Sequence, residues 1–459
     1  MDTNKIKSFS VFGLFETQNV HLVFQNKITI LIGENGIGKT QVLNIFYYTL
    51  TKDFYRLADF KFDSIALTFS DKKSIKISKK KIVDYVEHTF EHPLVQELIN
   101  EIGYKNFESL RSKFVRKENW EKSARQWIAI RKLRPSLLHK IITAFEIMDG
   151  KGQISLFSMF DTESEDNFNF IENCKKEIAN EIGDLEILYF PTFRRVEEDL
   201  HNLGYKEDDL HLNQENTLIQ FGMDDVQRRF LKIENTIETL LKEGLANFLN
   251  DVLKIVMTKN PTTDNSIFDR ISENDLKIIF ARAKNLDTEI KDAVLNSVRN
   301  RKFNDPLSGL ILQKLVELYE NQKELDHSVK VFRDVCNQYL IQKQVVYDES
   351  GIKIFVKSDL TDEKIELQNL SSGEKQIISI FSKVYLAEIQ QKLIVLFDEP
   401  ELSLSIKWQK NLLPDIIKSQ KCDFILAVTH SPFIFDNELD QFAVGLQEYI
   451  KPISKAEQK

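Results

Sequence analysis

The chain has few cysteines, no long apolar run and no excess of positive charge. Its only cysteines, Cys174, Cys336 and Cys422, are isolated and odd in number, and no CxxC pair occurs. The sequence therefore supports neither a disulfide framework nor a zinc hook. No run of about eighteen apolar residues appears, and the N-terminus MDTNKIKSFSVFG lacks the apolar stretch of a signal peptide. We expect a cytoplasmic protein without a membrane segment.

The net charge of the chain argues against a surface that is basic over the whole protein. A formal net charge of −8 disfavours a nucleic-acid-binding coat over the whole protein, although it is compatible with a local basic face. Apolar residues, in contrast, make up 42% of the 459 residues and include 33 Phe spread along the chain. Such a chain can bury a large core, and we expect it to form two or three lobes.

A phosphate-binding loop lies near the N-terminus. The segment GENGIGKT fits GxxxxGK[ST] without a mismatch and stands between the apolar run KITILIG and the helical pattern TQVLNIFYYTL. Glycines let backbone N–H groups turn toward phosphate oxygens, and the helix N-terminus adds partial positive charge. Lys39 would reach the β- and γ-phosphates, and the Thr40 hydroxyl would bind Mg²⁺. The predicted nucleotide ligands are Gly33, Asn35, Gly36, Gly38, Lys39 and Thr40.

Two apolar strands near the other end carry the remaining candidate residues for the reaction. KLIVLFDEPE leads into Asp398 and Glu399, and CDFILAVTH ends in His430. An acidic pair at the carboxyl end of a strand is where Mg²⁺ and an attacking water are handled. We expect Asp398 to hold the metal, Glu399 to polarise the water and His430 to sense the γ-phosphate.

The segment NLSSGEKQ, which begins at Asn369, opens a helix with apolar residues at helical spacing. An N-capped amphipathic helix would explain it, and helix N–H groups beside Ser371 would also suit an anion. Taken with the phosphate loop, the apolar strand ending in Asp-Glu and the terminal His, the segment resembles the signature of the ABC-type ATPase head in the SMC and RecF group. The resemblance covers roughly residues 1–90 and 345–440.

This resemblance implies a fold and a composite site. The fold would be α/β, a mixed sheet with flanking helices plus an antiparallel β layer, and the cofactors would be ATP and Mg²⁺. In that group the signature caps ATP bound to a second protomer, so a homo-oligomer of at least two chains is implied. Ser371 and Gly373 would contact the partner's ATP, while Leu370, Ser372 and Glu374 would shape the helix start. Serine stands where the signature usually has its first glycine.

Large insertions separate these motifs, and we divide the chain into five segments. They are residues 1–90 (head with the phosphate loop), 91–182 (basic helical insertion), 183–210 (head strand with PTFRR), 211–344 (helical insertion with a short coiled-coil stub) and 345–459 (head with the signature, Asp-Glu pair and His).

Two tracts in the insertion 211–344 carry apolar residues at alternating steps of four and three. They are Val226, Phe230, Ile233, Ile237 and Leu240, and then Ile311, Leu315, Leu318, Leu325, Val329 and Phe332, with Gln322 as a polar interruption. The spacing predicts two helices that pair. An arm that binds a partner and a helical subdomain that packs on itself both fit this pattern.

Two further clusters of basic residues each fit more than one role. Between Lys105 and Lys140 the chain has eleven Lys or Arg and three Glu, with Trp120 and Trp127 among them. Such a block can bind nucleic acid or an acidic protein, or it can be a solvated helix face. Arg194 and Arg195 could bind phosphate bidentately or form salt bridges with the Glu residues that follow them.

A narrower resemblance comes from YFPTFRR and DEPELSLSIKWQKNLLPDI together with the compact helical insertion. These features look like the bacterial AAA-15 and AAA-21 ATPases of anti-phage defence and the OLD-type proteins. OLD nucleases carry a Toprim nuclease domain after the ATPase head, whereas only residues 431–459 follow His430 here. Chain length and the early phosphate loop resemble those of the ATPase subunit (AriA) of the PARIS defence system, and the pattern is also similar to the ATPase subunit of Septu.

The resemblance implies a slow ATPase that acts as a sensor and scaffold. It would form a homo-oligomer, hold a separate Toprim-type effector and release it when a phage-encoded trigger protein is sensed. The alternative is a RecF-like DNA-repair ATPase whose heads clamp DNA. Overall acidity and the missing zinc hook favour the first hypothesis, while the basic block keeps the second open.

Overall fold

The structure is a computed structural model of the chain. It describes Phe107, Leu110, Arg125 and the ranges 4–34, 36–70, 73–91, 93–102, 136–148, 162–192, 222–258, 272–282, 287–300 and 306–453. The chain divides into two compact units. The first unit comprises residues 1–220 and 392–459, and the second unit comprises residues 221–391. The predicted α/β fold is confirmed.

An antiparallel sheet forms one layer of the first unit, with the strand order β13-β2-β1-β4-β5. The alternating polarity of the N-terminal segments predicted strands there, and Phe9 and Val11 of β1 are fully buried. Its strands are β1 (Ile6–Leu14), β2 (Gln18–Val23), β4 (Ser64–Phe69), β5 (Ser74–Ser78) and β13 (Ile450–Pro452).

A second sheet in the first unit is parallel at each of its strand pairs, in the order β12-β3-β11-β10-β6. Every residue of β10 is buried, which explains why this strand appears in the sequence as a continuous apolar run. The strands are β3 (Ile28–Ile32), β6 (Glu186–Phe190), β10 (Leu393–Asp398), β11 (Cys422–Thr429) and β12 (Ala443–Gly445). Their carboxyl ends meet at one edge of the sheet.

Helices pack around these sheets, and aromatic side chains fill the core. The Phe46 ring of α1 lies 4.8 Å from that of Phe9 on β1 and 6.2 Å from that of Phe424 on β11. One helix thereby joins the two sheets of the first unit. The helices of this unit are α1 (Lys39–Leu50), α2 (Phe54–Leu57), α3 (Lys79–Glu91), α4 (Pro93–Ile102), α5 (Ser136–Met148), α6 (Thr162–Ile182) and α12 (Ile406–Lys418).

The second unit combines long helices with a three-stranded antiparallel sheet in the order β7-β8-β9. The two predicted tracts form α7 and α10, and the rings of Phe230 and Phe332 meet at 5.6 Å. The predicted helix pair is therefore confirmed. The elements are α7 (Met223–Thr258), α8 (Glu273–Arg282), α9 (Thr288–Arg299), α10 (Pro306–Cys336), β7 (Lys343–Asp348), β8 (Lys353–Ser358), β9 (Lys364–Ile365) and α11 (Ser372–Tyr385).

The polar interruption Gln322 has a structural reason. Its side chain is buried and accepts a 2.8 Å hydrogen bond from Arg282 of α8. Arg282 also donates to Asp326 at 2.7 Å, and the Tyr347 hydroxyl of β7 donates to the same carboxylate. These buried side chains connect α8, α10 and β7 through hydrogen bonds. Arg282 and Asp326 carry charges inside the unit, where a charge without a partner would be costly.

Several sequence expectations fall outside the described ranges. Arg194 and Arg195 lie there, as does most of the basic block. Its last residue, Lys140, is described, and it donates to Glu97 at 2.6 Å and to Glu101 at 3.2 Å. Among the helices that the structure describes, none is both long and apolar enough to cross a membrane.

Candidate active site

The phosphate loop joins β3 to α1, as the flanking patterns predicted. Gly36 and Gly38 have φ angles of 82° and 98°, in the left-handed region that favours glycine. A Cβ atom at Gly38 would also lie only 3.1 Å from the Phe15 ring. The loop therefore needs glycine at these two positions. Asn35, another predicted ligand, lies outside the described residues.

A cavity of about 290 Å³ opens beside this loop. Residues from the loop, from the start of α1, and from the segments after β10 and β11 line it, so the structure brings together three motifs that are far apart in sequence. All of its lining residues belong to the first unit. They are Phe15, Glu34, Gly36, Gly38, Lys39, Thr40, Gln41, Glu399 and His430.

Oxygen ligands suited to Mg²⁺ converge at one side of this site. The Thr40 hydroxyl donates to Asp398 Oδ1 at 2.9 Å, and the Thr192 hydroxyl donates to Oδ2 at 2.7 Å. Over the described part of the chain, no cluster of three or more His, Cys, Asp or Glu could hold a metal. Mg²⁺ commonly takes only one or two carboxylates and completes its shell with water and substrate phosphates. The residues present fit a metal that is held jointly with a nucleotide.

Lys39 lies folded into the loop. Its ammonium donates to the carbonyl oxygens of Gly33 and Glu34 at 2.6 and 3.1 Å and to His430 Nε2 at 2.5 Å. Burial lowers the pKa of Lys39, while the nearby carboxylates, Glu399 first among them, oppose that shift. Three donors held in this way can be redirected to phosphate oxygens without moving the backbone.

His430 bridges Lys39 and Glu399. Its Nε2 is close to Lys39 Nζ and also lies 3.1 Å from Glu399 Oε1. These contacts need opposite protonation states, since Nε2 accepts from Lys39 only when it is bare and donates to Glu399 only when it carries a proton. Burial and the Lys39 charge lower the pKa of His430, which favours the neutral ring that accepts from Lys39.

Glu399 is held in a strained and desolvated position. Its φ of 53° lies in the left-handed region that non-glycine residues seldom adopt, and its backbone N–H donates to Val428 on the neighbouring strand at 2.8 Å. Burial and the adjacent Glu401 carboxyl raise the pKa of Glu399 to about 8. A carboxyl with this pKa is suited to exchange protons near neutral pH.

Sequence reasoning missed two residues of this cluster. Glu401 is buried, and its Oε1 accepts the backbone N–H groups of His430 and Ser431 at 2.8 and 2.9 Å. Thr192 contacts Asp398 because β6 is the neighbour of β10 in the sheet. The available signals were the second glutamate of DEPE and the strand LEILYF before Thr192, but neither pattern reveals these contacts.

The signature segment belongs to the second unit. Ser371 caps α11 in a capping box, in which its hydroxyl accepts from Glu374 N at 3.4 Å and Glu374 Oε2 accepts from Ser371 N at 2.8 Å. Lys343 of β7 donates to both oxygens of Glu374, at 3.0 and 2.8 Å. The N-capped amphipathic helix is therefore present. The roles of Ser371, Ser372, Gly373 and Glu374 toward a partner's ATP stay predictions.

Comparison with known proteins places the chain in a family. The family described as AAA ATPase domain (AAA-15) matches residues 5–435. The "Retron Vc95 probable ATPase" of Vibrio cholerae serotype O1 biovar El Tor is 23% identical over 301 residues, 59% of this chain and 54% of that protein. The chain thus spans about half the length of this curated relative.

Two solved structures are also similar to the chain. One is a Smc head bound to the C-winged helix domain of ScpA, with 9% identity, a TM-score of 0.34 and coverage of 99% of each chain. The other is a Smc head with an extended coiled coil bound to a ScpA domain from Pyrococcus furiosus, with 11% identity, a TM-score of 0.35 and coverage of 99% and 97%. The match over residues 5–435 carries the assignment: the chain belongs to the AAA ATPase domain family.

Proposed function

We propose that the cavity of the first unit binds Mg²⁺ and ATP and that the bond to the terminal phosphate of ATP is hydrolysed there. The observation that carries this proposal is that Lys39, Thr40 and Glu399 line one cavity and that Thr40 is hydrogen-bonded to Asp398. These residues supply, in one place, a phosphate-binding cation, two oxygen ligands for a metal and a carboxyl that can accept a proton.

Each residue has a part that its contacts support. The loop N–H groups and Lys39 bind the phosphate oxygens, Lys39 exchanging its bonds to Gly33 and Glu34 for bonds to phosphate. Thr40 and Asp398 would hold the metal, and the Thr192 hydroxyl fixes the second oxygen of Asp398. When bound, Mg²⁺ supplies positive charge that offsets the charge on the phosphates.

Glu399 accepts the proton of the attacking water. With its pKa raised to about 8, this carboxyl is largely protonated at neutral pH and must lose a proton before it can act as a base. The neutral ring of His430, placed between Lys39 and Glu399, can orient the water, and the proton that Glu399 loses goes to solvent. This arrangement agrees with the slow ATPase that the motif resemblance implies.

The proposed biological role is that of an ATP-dependent sensor and scaffold in an anti-phage defence system like PARIS. The chain would form a homo-oligomer with composite ATP sites and control a separate Toprim-type effector in response to a phage protein. The motif resemblance supports this role, and so does the similarity to the protein named "Retron Vc95 probable ATPase".

Two measurements test these proposals separately. Purified protein should release phosphate from ATP in the presence of Mg²⁺, and the Lys39→Ala variant should not; equal rates in both would refute the proposed chemistry. For the role, co-expression with the product of a neighbouring gene should yield a stable complex through a tag on one chain. If the protein instead purifies without this partner and binds duplex DNA in an ATP-dependent way, the RecF-like clamp replaces the scaffold role.

A further inference from the structure

Two loops that carry candidate reaction residues share one backbone donor. The His430 N–H, at the end of β11, points between the Glu399 and Glu401 carboxyls. It lies 3.1 Å from Glu399 Oε2 and 2.8 Å from Glu401 Oε1. The Ser431 N–H donates to the same Glu401 oxygen at 2.9 Å. Two consecutive amides thus converge on Glu401, and only the first of them is shared with Glu399.

Glu401 is firmly held at this place. Its side chain is only 8% exposed, and its carbonyl oxygen accepts from Leu404 N at 3.0 Å. Gln409 of α12 donates to the same carbonyl at 3.4 Å and accepts from the Ser431 hydroxyl at 2.6 Å. Side-chain and backbone contacts of Glu401 therefore connect the loop after β10, the loop after β11 and the first turns of α12.

The shared donor makes the two carboxyls competitors. A buried N–H is costly to leave without an acceptor, so the amide of His430 will keep one. If Glu401 did not accept it, Glu399 Oε2, which already lies 3.1 Å away, would be its remaining acceptor and would be drawn closer to the backbone. A carboxyl engaged in that way has one oxygen fewer to offer to water.

We propose that Glu401 is a positioning residue for the proposed ATPase reaction. As the nearer acceptor of the His430 amide, it weakens the bond from that amide to Glu399 Oε2, so that the Glu399 carboxyl can turn toward the attacking water. It also fixes the backbone from which the His430 ring reaches Lys39. This inference rests on the proposed function for its kinetic consequences, whereas the hydrogen bonds that it invokes belong to the protein alone.

The test compares Glu401→Ala with Glu401→Gln. Glutamine keeps an acceptor oxygen for both amides and loses only the charge, so at a pH above about 8, where Glu399 is ionised, it should retain kcat within about threefold. Alanine removes the acceptor, and we expect it to lower kcat by about 10- to 100-fold, the scale of misplacing a reacting group. ATP affinity should stay within about threefold in both, because the hydrogen bonds of Glu401 in the described structure are with His430, Ser431 and Gln409 and not with the described residues of the phosphate loop. Glu438→Gln, which changes an exposed carboxylate of the same unit, is the matched control.

Hydrogen exchange provides a readout that needs no turnover. In the protein without nucleotide, the Ser431 amide, which would keep only the Thr429 hydroxyl at 2.9 Å, should exchange faster in Glu401→Ala and at the wild-type rate in Glu401→Gln and Glu438→Gln. The His430 amide should stay protected in every variant, because Glu399 remains as its acceptor. The inference is overturned if Glu401→Ala keeps wild-type kcat, if glutamine is as damaging as alanine, or if the Ser431 amide is unaffected. A wild-type protein that hydrolyses no ATP would refute the proposed function, while the exchange result would still decide whether Glu401 holds the Ser431 amide.

Discussion

The candidate active site in the first unit and the signature helix in the second unit differ in how their surroundings shift the pKa values of buried ionisable side chains. In the first unit, burial moves each of three neighbouring groups toward its uncharged form: the pKa values of Lys39 and His430 are lowered and that of Glu399 is raised. In the second unit, burial acts on Glu374 too, but hydrogen bonds from Lys343 and Ser371 outweigh it and lower the pKa. The first cluster, formed by Lys39, Glu399 and His430, therefore disfavours its charges. The second cluster, formed by Ser371, Glu374 and Lys343, stabilises the charge of Glu374.

This difference indicates what each cluster contributes. A group of desolvated, mutually perturbed side chains around a cavity is poised to exchange protons and ligands, which is typical of a reaction site. A carboxylate that is fully engaged by a capping box and a lysine stabilises the fold around it, whatever further role it has. Substitutions in the first cluster should therefore change chemistry more than stability, and those in the second should change stability directly.

The largest expected effect separates two roles within the first cluster. Lys39→Ala should weaken ATP affinity by about 100-fold or more, because it removes the charged donor nearest to the phosphates. Glu399→Gln should bind ATP with almost unchanged affinity and lower turnover by about 100- to 10,000-fold, since an amide cannot accept the proton of water. Nucleotide titration and phosphate release measure the two. A Glu399→Gln protein with wild-type turnover would remove Glu399 from the reaction.

The pH dependence of the reaction should come next in size. Glu399 acts as a base only when ionised, and its pKa of about 8 places ionisation above neutral pH. The value of kcat/KM should therefore rise with pH up to about 8 and then level off, and at pH 6 it should be about 100-fold below that plateau. Glu401→Gln removes a charge that raises the pKa of Glu399, so its profile should move to lower pH. A flat profile between pH 6 and 9 would contradict this.

Much of the first unit could be predicted from local sequence. The glycines of GENGIGKT satisfy backbone angles that other residues avoid, and the apolar runs before Asp398 and His430 match strands buried on both faces. Thr192 and Glu401 could not be predicted, because their contacts depend on strand order and on the left-handed turn at Glu399. In the second unit, the apolar spacing identified α7 and α10, but nothing local indicated that Gln322 faces a buried arginine.

A mixing experiment tests whether the second cluster has a role beyond stability. Lys39→Ala removes the cation that binds phosphate, and Gly373→Asp places a negative charge at the start of the signature helix. If Ser371 and Gly373 act on a partner's nucleotide, each variant alone should be inactive. In a two-site dimer, a 1:1 mixture should then recover about a quarter of the wild-type activity, because about half of the dimers are mixed and each mixed dimer has one of its two sites intact. Mass measurement must confirm that mixed oligomers form. Their formation without recovered activity would mean that each site is complete within one chain.

The smallest effect addresses stability in the second unit. Lys343→Ala leaves the buried Glu374 carboxylate without its lysine, and we expect a loss of about 1–3 kcal/mol in the free energy of unfolding. Lys357→Ala is the matched control, because Lys357 lies on the same sheet and pairs with Asp362, whose side chain is 82% exposed; it should cost about 0–1 kcal/mol. Chemical denaturation of the two variants measures the difference.

The pH dependence of the free energy of unfolding, measured for the same two variants, tests whether the Glu374 charge is responsible for the effect of Lys343. Lys343 and the hydrogen bonds of Ser371 lower the pKa of Glu374 below its usual value, so the stabilisation is present above the ordinary glutamate range and is lost as pH falls through the lowered pKa. The gap between wild type and Lys343→Ala should therefore be constant near neutral pH and shrink in acid, whereas Lys357→Ala should show little change. A gap that stays constant on acidification would mean that Lys343 stabilises the unit through packing of its side chain and not through the Glu374 charge.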